Sequence, residues 1–413
     1  MKILVAAAGS HGDVLPFVAL SKELQARGHD VRLFAGAYFA SYAREAGVPF
    51  RALGTTQEHT ELLRNPHLTH PIDSHRLLAT AIGDNLMSTY QALKADVEPG
   101  RTIVVGSLLA FATRLLQETD RLPCVTVHLA PTSLRSSFRA SRMSAWDILP
   151  HLPRPVKSIA WRALDALLVD RLYCPALNDC RASLGLRPVR RIFDDWLHRV
   201  DTVVGMFPRW FGDPQPDWPA NLRQTGFPLY DHGVHQALPA SVGRFLDAGQ
   251  APVGFTAGTA TACAHAFFAA SAEACRRSGR RGILLTHCPE QVPDTLPDGV
   301  VHVHYVPFGA LLPRLAALVH HGGIGTTSQA LRAGVPQLIR PMAFDQFDNA
   351  RRARELGVAV ELLPSRYSVQ SAAAALHDLL DDPQVRERCR HWASKLADKD
   401  GVGRACDLIV ASH

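Results

Sequence analysis

The stretch that most constrains this chain runs from residue 320 to residue 329 and reads His-His-Gly-Gly-Ile-Gly-Thr-Thr-Ser-Gln. An apolar run of strand length precedes it, and residues 330–334 indicate a short helix that ends at a glycine. Glycines between a strand and a helix N-terminus let the backbone approach a phosphate closely, and the free N–H groups there favour an anion. The stretch therefore predicts an anion-binding turn in an α/β sheet.

A second polar loop follows the next predicted strand, residues 334–341, and leads into a helix that begins near Asp345 and Gln346. The carboxyl ends of neighbouring parallel strands meet at one edge of a sheet, and this edge is where ligands bind in such folds. The two loops are thus predicted to face a common ligand.

The composition is that of a globular protein with no feature typical of nucleic-acid binding. Of 413 residues, 47% are hydrophobic and 20% are charged, which fits two or three domains with large cores. The net charge of +6 fits an anionic ligand, but lysine and arginine are dispersed along the chain. The eight cysteines form no CxxC pair, so neither a zinc site nor a disulfide framework is predicted. No apolar stretch has the length of a transmembrane helix, and the expected location is the cytoplasm.

The pattern of strands and helices predicts two similar halves. Residues 2–53 alternate as βαβαβ, the half-unit of a doubly wound parallel sheet, and the pattern restarts at residue 252. The second strand ends in Ala35 and Gly36 where a NAD-binding domain has an acidic residue, which argues against that cofactor. Residues 200–206 are predicted as the last strand of the first half. The predicted fold is α/β, with Rossmann-like domains at 1–215 and 236–395, a linker at 216–235 and a terminal helix at 396–413.

Residues 131–175 differ from the rest of the chain because arginines alternate there with aromatic side chains. Two interpretations remain open: a pair of solvated surface helices, or an entrance for a hydrophobic acceptor or an anionic bilayer surface. Arg142 and Trp146 are the residues expected to line such an entrance.

Residues 305–350 resemble the sugar-donor signature of family 1 glycosyltransferases, whose GT-B fold has two Rossmann-like domains facing across a cleft. His321 and Gly323 match the His-x-Gly that holds the donor diphosphate, and Asp345 with Gln346 matches the pair that binds sugar hydroxyls. Motifs elsewhere resemble the rhamnosyltransferase chain of rhamnolipid biosynthesis and related bacterial enzymes that glycosylate flavonoids. The resemblance runs over nearly the whole chain, and it implies that the terminal helix packs back on the first domain.

The resemblance also implies a nucleotide-sugar site on the second domain. Its expected residues are Gly258, Thr259, Tyr305, Val306, His321, Gly323, Gly325, Thr326, Gln329, Asp345 and Gln346. Plant enzymes of the family have a Glu at the position of Gln329 that binds both ribose hydroxyls, so the Gln favours deoxythymidine over uridine diphosphate. Besides this co-substrate, dTDP- or UDP-sugar, no cofactor and no metal are expected, because preorganised hydrogen-bond donors stabilise a leaving diphosphate.

Asp13 is the predicted general base, because related antibiotic glycosyltransferases carry a Gly-Ser-x-Gly-Asp loop that this sequence matches after its first strand. A carboxylate with a pKa of about 3.9 is a weak base, but a closed apolar site raises this pKa. His11 is the alternative base, and its simpler interpretation is a structural loop histidine. His128, which follows a predicted strand, is a candidate contact to the acceptor.

The residues and the resemblance together predict an inverting, metal-independent hexosyltransferase that moves L-rhamnose from a dTDP-sugar to a hydrophobic acceptor such as a 3-hydroxyacyl lipid. The alternative activity is transfer from UDP-glucose or dTDP-rhamnose to flavonoids or other phenols. A nucleotide-sugar epimerase and a nucleotide-sugar-binding auxiliary subunit are rivals from other classes, although a pure binder has no use for a base such as Asp13. Peripheral contact with the inner membrane face is a further expectation, and no oligomeric state is indicated.

Overall fold

The computed structural model describes residues 1–70, 72–145, 148–230, 238–258, 264–397 and 400–413. Within these residues the chain divides into two compact units. The first comprises Met1–Arg142, 148–230 and Asp400–His413, and the second comprises Met143–Ala145 and 238–397. Each unit is built on one parallel sheet, so the predicted pair of Rossmann-like α/β domains is confirmed.

The sheet of the first unit has the strand order β3-β2-β1-β4-β5-β6-β7. Its strands are β1 (Lys2–Ala6), β2 (Asp30–Gly36), β3 (Phe50–Leu53), β4 (Thr102–Ser107), β5 (Cys124–His128), β6 (Thr202–Gly205) and β7 (Leu222–Gln224). The central strands β4 and β5 are buried along their whole length, because helices cover both faces of a parallel sheet. The order reverses between β1 and β4, and the loops after these strands touch where Ala8 N–H donates to Ser107 Oγ (3.2 Å). This edge is the switch point at which doubly wound sheets bind ligands.

The helices of the first unit before residue 200 are α1 (His11–Ala26), α2 (Ala40–Glu45), α3 (Thr56–Arg64), α4 (Asp73–Lys94), α5 (Phe111–Asp120), α6 (Arg154–Leu164) and α7 (Asp170–Ser183). A π-helical turn, Asp165–Val169, joins α6 to α7. The Gly-Ser-x-Gly-Asp segment was predicted as a loop, but helix α1 begins within it, at His11. Ser10 N–H donates to the Asp13 carboxylate (2.8 Å) and caps the first turn, so Asp13 lies inside a helix and not in a loop.

The sheet of the second unit has the strand order β10-β9-β8-β11-β12-β13, with its switch point between β8 and β11. Its strands are β8 (Val253–Thr256), β9 (Gly282–Leu285), β10 (Val300–Val303), β11 (Ala317–His320), β12 (Gln337–Ile339) and β13 (Ala359–Glu361). Its helices are α8 (Ala240–Asp247), α9 (His265–Arg277), α10 (Phe308–Leu311), α11 (Ile324–Ala333), α12 (Gln346–Glu355), α13 (Val369–Asp381) and α14 (Pro383–Ser394). The glycine-rich turn follows β11 and therefore opens at the switch point.

The last helix of the chain, α15 (Gly401–Val410), belongs to the first unit. Its buried Cys406 and Ile409 share one apolar cluster with Leu20 and Leu24 of α1. At the surface, Arg27 after α1 donates a hydrogen bond to the Asp407 carboxylate of α15 (2.6 Å), which also joins the two helices. Thus α15 completes the core on one face of the first sheet.

Residues 216–230 of the predicted linker, 216–235, belong to the first unit. Strand β7 lies within that range and pairs in parallel with β6, so β6 is not the last strand and the first unit extends through Tyr230. Residues 231–237 lie outside the described residues. Among the described helices, none is both long enough and apolar enough to cross a membrane.

Candidate active site

In the first unit, the Asp13 carboxylate lies just past the carboxyl end of β1. The Ser10 amide and hydroxyl both donate to its Oδ2, at 2.8 and 3.0 Å. Gly9 has a φ of 127°, and a Cβ there would lie 2.5 Å from the same oxygen. A side chain at residue 9 would therefore push the carboxylate out of position. The loop thus fixes the Asp13 carboxylate with two hydrogen bonds and a steric limit.

The pKa of Asp13 is raised, because desolvation outweighs the two hydrogen bonds from Ser10, which lower it. The side chain itself still reaches solvent at the surface. A carboxyl group that is surrounded by protein and yet accessible has the properties of a general base, which must be basic enough to accept a proton and open to its substrate.

His11, the alternative base, is packed into an aromatic cluster. The rings of Tyr38, Phe39 and Tyr42 lie edge-on to its imidazole with centroids 5.2 to 5.4 Å away. Its Nε2 also makes a hydrogen bond of 3.0 Å with Tyr42 Oη. These contacts support the interpretation of His11 as a structural histidine, and the choice between the two bases stays a prediction.

In the second unit, the His321 imidazole is held between two glycines at the switch point. A Cβ at Gly258, which follows β8, would lie 2.6 Å from His321 Cε1, and one at Gly323 would lie 2.5 Å from Nε2. Gly258 also has a φ of 84°, a region that favours glycine. The structure thus brings together three of the predicted residues, and the two turns depend on each other for their shape.

Burial lowers the pKa of His321 to about 4, so the imidazole is neutral near pH 7. Its Nδ1 is buried and has no hydrogen-bond partner among the described residues. A neutral imidazole offers one N–H donor, and a buried polar atom without a partner is costly unless a ligand satisfies it. His321 is therefore suited to donate a hydrogen bond, but it carries no positive charge.

His320, the residue before it, is fully buried and orients the turn. Its Nδ1 accepts from Gly322 N–H (3.1 Å), so its Nε2 carries the proton and donates to Gln337 Oε1 (3.0 Å). Burial lowers its pKa to about 3. This arrangement ties the glycine turn to the neighbouring strand β12.

The Asp345-Gln346 pair lies at the start of α12 and is joined to the glycine turn by Asn349. Asn349 Nδ2 donates to both the Asp345 carboxylate (2.7 Å) and the Gly322 carbonyl (2.9 Å). Gln346 Oε1 accepts from the amides of Met342 and Ala343, so its carbonyl holds its own loop. Sequence reasoning missed Asn349, although its position one helical turn after Asp345 was a signal for such a contact.

The remaining predicted residues of the second unit differ in what they offer a ligand. Gly325 and Thr326 lie in the first turn of α11, where backbone N–H groups have no partner within the helix. Tyr305 stacks on the His287 ring with centroids 5.8 Å apart, at the end of β10. Val306 was predicted to face the nucleotide, but its side chain is 3% exposed and lies in the core, so only its backbone is available. Gln329 is 7% exposed on α11.

The predicted acceptor residues differ in how accessible they are. His128 is completely buried, with its Nε2 3.0 Å from His198 Nε2, and it cannot touch an acceptor directly. Arg142 is partly exposed. Thr259 of the sugar-donor site and Trp146 of the acceptor set lie outside the described residues.

The stretch 131–175 is neither wholly solvated nor wholly apolar. Arg135 pairs with the buried Asp165 carboxylate and lies over the Trp161 ring, which makes part of the zone structural. In contrast, Ile148, Ile159 and Leu167 are 67%, 67% and 62% exposed. Large apolar side chains in contact with water are a common feature of binding surfaces.

The arrangement in the second unit can hold an anion with neutral donors, and the arrangement in the first unit can accept a proton. In the described part of the chain, no group of three or more His, Cys, Asp or Glu side chains is arranged to hold a metal ion.

Comparison with known proteins identifies the family. Residues 3–136 match the glycosyltransferase family 28 N-terminal domain, and residues 283–401 match the erythromycin biosynthesis protein CIII-like C-terminal domain. The solved glycotransferase of kitacinnamycin superimposes with a TM-score of 0.75 at 21% identity, covering 100% of this chain and 98% of that one. O-mycaminosyltylonolide 6-deoxyallosyltransferase from Streptomyces fradiae is 30% identical over 424 residues, with 99% of this chain and 97% of the relative covered. The chain belongs to the GT-B glycosyltransferases.

This GT-B glycosyltransferase is also similar to a nucleotide complex. The structure of glycosyltransferase SsfS6 from Streptomyces sp. SF2575 with thymidine diphosphate has a TM-score of 0.63 at 23% identity and covers 100% of this chain and 99% of that one. The prediction of a glycosyltransferase enzyme is confirmed. The narrower resemblance to rhamnolipid enzymes stays a prediction, because the names of these relatives refer to other products and substrates.

Proposed function

We propose that this glycosyltransferase moves a 6-deoxyhexose, L-rhamnose first among them, from a dTDP-sugar to a hydroxyl of a hydrophobic acceptor. Transfer inverts the anomeric carbon and needs no metal. The observation that carries the proposal is the buried, neutral His321 beside the first turn of α11, at the switch point of the second sheet. Such a site offers hydrogen bonds that are already in place for a leaving diphosphate.

The proposed chemistry is a single displacement. The acceptor hydroxyl loses its proton to the Asp13 carboxylate while its oxygen forms a bond to the anomeric carbon. The bond from that carbon to the diphosphate breaks, and its electron pair leaves with the diphosphate oxygen near His321 and the α11 N-terminus. Attack opposite to the leaving group inverts the configuration. Asp345, which Asn349 links to the turn, and the adjacent Gln346 bind the sugar hydroxyls.

The choice of deoxythymidine over uridine rests on Gln329. A carboxylate would accept two hydrogen bonds from a ribose with 2′- and 3′-hydroxyls, whereas a Gln offers one acceptor oxygen, and deoxythymidine has no 2′-hydroxyl to bind. The similarity to SsfS6, solved with thymidine diphosphate, supports the same choice. The name of the Streptomyces fradiae relative, a 6-deoxyallosyltransferase, supports a 6-deoxyhexose.

The proposed acceptor is amphiphilic, with a 3-hydroxyacyl lipid first and a phenol such as a flavonoid second. The observation that favours the lipid is the exposure of the apolar side chains of Ile148, Ile159 and Leu167, in a segment that also carries the exposed Arg154 and Arg162. Apolar side chains among arginines fit an acyl chain with an acidic head group, and also the inner face of an anionic membrane.

Calorimetry of nucleotide binding tests the donor. We expect dTDP to bind about tenfold more tightly than UDP, which corresponds to about 1.4 kcal/mol. The substitution Gln329→Glu should narrow or reverse this preference. Tighter binding of UDP by the unmodified enzyme would overturn the donor assignment. A mass-spectrometric screen of lipid and phenolic acceptors, run with and without EDTA, then identifies the acceptor and tests metal independence.

A further inference from the structure

Arg340 lies at the carboxyl edge of the second sheet, and its guanidinium has no counter-ion within the part of the chain that the structure describes. It follows β12 directly, and its Nη1 donates only to the thioether sulfur of Met342 (2.9 Å). Its Nε is buried and has no acceptor, and no carboxylate pairs with the guanidinium among the described residues. A guanidinium has five N–H donors, so most of its capacity is unused.

Arg340 is opposite His321 when the register of strands β11 and β12 is continued by one residue. Strands β11 and β12 pair with His320 opposite Ile339, and Arg340 N–H extends the ladder by donating to the His320 carbonyl (2.8 Å). Successive side chains along a strand alternate between faces, so His321 and Arg340 leave the sheet on one face from adjacent strands about 4.8 Å apart. His321 reaches toward Gly258 on its other side.

The surroundings of the guanidinium are aromatic. The rings of Phe267 and Tyr367 lie 5.6 and 5.5 Å from its central carbon, and Phe267 is in the first turn of α9, the helix that follows Gly258. Burial among these groups lowers the pKa of Arg340, although an arginine stays charged at neutral pH. A partly buried charge without a partner is costly, because protein replaces the water that would solvate it.

A nearby arginine, Arg352, is buried together with a carboxylate that balances its charge. Arg352 is 3% exposed, and its Nε donates to the buried Asp348 carboxylate (2.6 Å). Among the described residues, an anion thus partners the arginine of α12, whereas none partners Arg340, which follows the strand next to the glycine-rich turn.

We propose that Arg340 binds the diphosphate of the sugar donor and balances its negative charge, which the neutral His321 cannot do. Arginine and phosphate form paired, charge-assisted hydrogen bonds with fixed geometry. As the bond to the anomeric carbon breaks and its electron pair moves to the diphosphate, the charge near Arg340 increases. This inference rests on the proposed placement of the diphosphate at the His321 turn.

The test compares Arg340→Gln and Arg340→Lys with a matched control, Arg332→Gln. Arg332 is exposed in the last turn of α11 and lies in the same unit. Calorimetry should show that Arg340→Gln weakens binding of dTDP about tenfold or more, whereas binding of thymidine, which has no phosphate, is unchanged. Arg340→Lys should lose less, and the control should match the unmodified enzyme. In steady state, Arg340→Gln should raise the donor KM and lower kcat.

Two results would overturn the assignment. One is unchanged dTDP affinity in Arg340→Gln. The other is an equal loss of dTDP and thymidine affinity together with a lower Tm in both Arg340 variants. This result is expected if Arg340 only stabilises the packing of Phe267 and Tyr367. The donor proposal fails separately. If the unmodified enzyme prefers UDP, the same comparison is made with UDP and uridine, and the assignment of Arg340 is decided on that pair.

Discussion

Single residues set both halves of the proposed reaction. Asp13 is held by Ser10 and by the absence of a side chain at Gly9, and His321 is held by the absence of side chains at Gly258 and Gly323. In each case, a glycine limits where the functional group can lie. The effects of substitutions at the glycine and at its partner should therefore be coupled.

Asp13→Asn should fold normally and bind the nucleotide, but turn over roughly two to four orders of magnitude more slowly, the usual scale for loss of a general base. Because the pKa of Asp13 is raised, kcat/KM of the unmodified enzyme should fall on the acid side at a pH above the ordinary range of an aspartate. Steady-state kinetics across pH check both statements. The matched control is His11→Ala, and an enzyme inactivated by His11→Ala but not by Asp13→Asn would identify His11 as the base.

His321→Ala should weaken dTDP binding and slow transfer, because it removes a donor to the diphosphate. Gly258→Ala should have a similar effect. The new Cβ would lie only 2.6 Å from His321 Cε1 and would displace the imidazole, and the φ of 84° at this residue disfavours a side chain. The double variant should be little worse than either single one, because both changes remove the same interaction. Additive losses of binding energy in calorimetry would show that the two turns act independently.

At the scale of elements, the loop between β12 and α12 contains a strained residue. Phe344, the residue before Asp345, has a φ of 55°. A residue other than glycine in this region costs about 1 kcal/mol or more, and such strain collects at functional sites. The loop that carries Asp345 and Gln346, the proposed sugar-binding pair, is therefore held in a backbone conformation that its sequence does not favour.

Two substitutions at Phe344 distinguish the effect of its backbone strain on stability from the effect of its ring. Phe344→Gly and Phe344→Ala both remove the ring, but only glycine relieves the backbone strain. The free energy of unfolding should therefore be about 1 kcal/mol higher for the Gly variant than for the Ala variant. Urea unfolding measures this difference. Equal stability of the two variants would mean that the loop relaxes to a negative φ once the ring is gone.

The elements that the sequence failed to predict share a physical cause. Strand β7 has three residues among prolines and tryptophans, which is too short for an alternating pattern to show, and β13 is equally short. The start of α1 was missed because one carboxylate, Asp13, caps its own helix. The βα turns at Gly258 and His321 were predictable, since glycine spacing reports backbone geometry directly. The role of Arg340 was not predictable, because it depends on neighbours that only the sheet order brings together. For Asn349, the contact to Asp345 could have been predicted from the spacing of four residues, but the contact to Gly322 also depends on the sheet order.

For the whole molecule, buried histidines link stability to pH. Desolvation lowers the pKa of each of a group of histidines in both units: His59, His75, His128, His198, His320 and His321. The folded state disfavours their protonated form, so unfolding takes up protons below the ordinary histidine pKa of about 6.5. Their contribution to the free energy of unfolding is present in full above that pH and is lost as the pH falls below it. For each histidine, this loss is at most about 1.4 kcal/mol per pH unit.

Urea unfolding at pH 7.5, 6.5 and 5.5 should therefore show a falling midpoint. His128→Gln should flatten the dependence, because it removes a fully buried group, whereas His391→Gln on the exposed side of α14 should not. A midpoint that is constant from pH 7.5 to 5.5 would contradict this account. The fold class followed from the strand and helix pattern, but this acid sensitivity needed the structure, because the sequence does not show which of the 20 histidines are buried.

The position of α15 has a consequence for synthesis on the ribosome. The first unit starts at the N-terminus, yet Leu20 and Leu24 of α1 are covered by Cys406 and Ile409, which are translated almost 400 residues later. The second unit, apart from Met143–Ala145, is one continuous segment. It can close its core while the first unit still exposes an apolar helix face to the cell. The domain made first is thus the domain finished last, and a nascent chain stalled before residue 400 presents that face to chaperones.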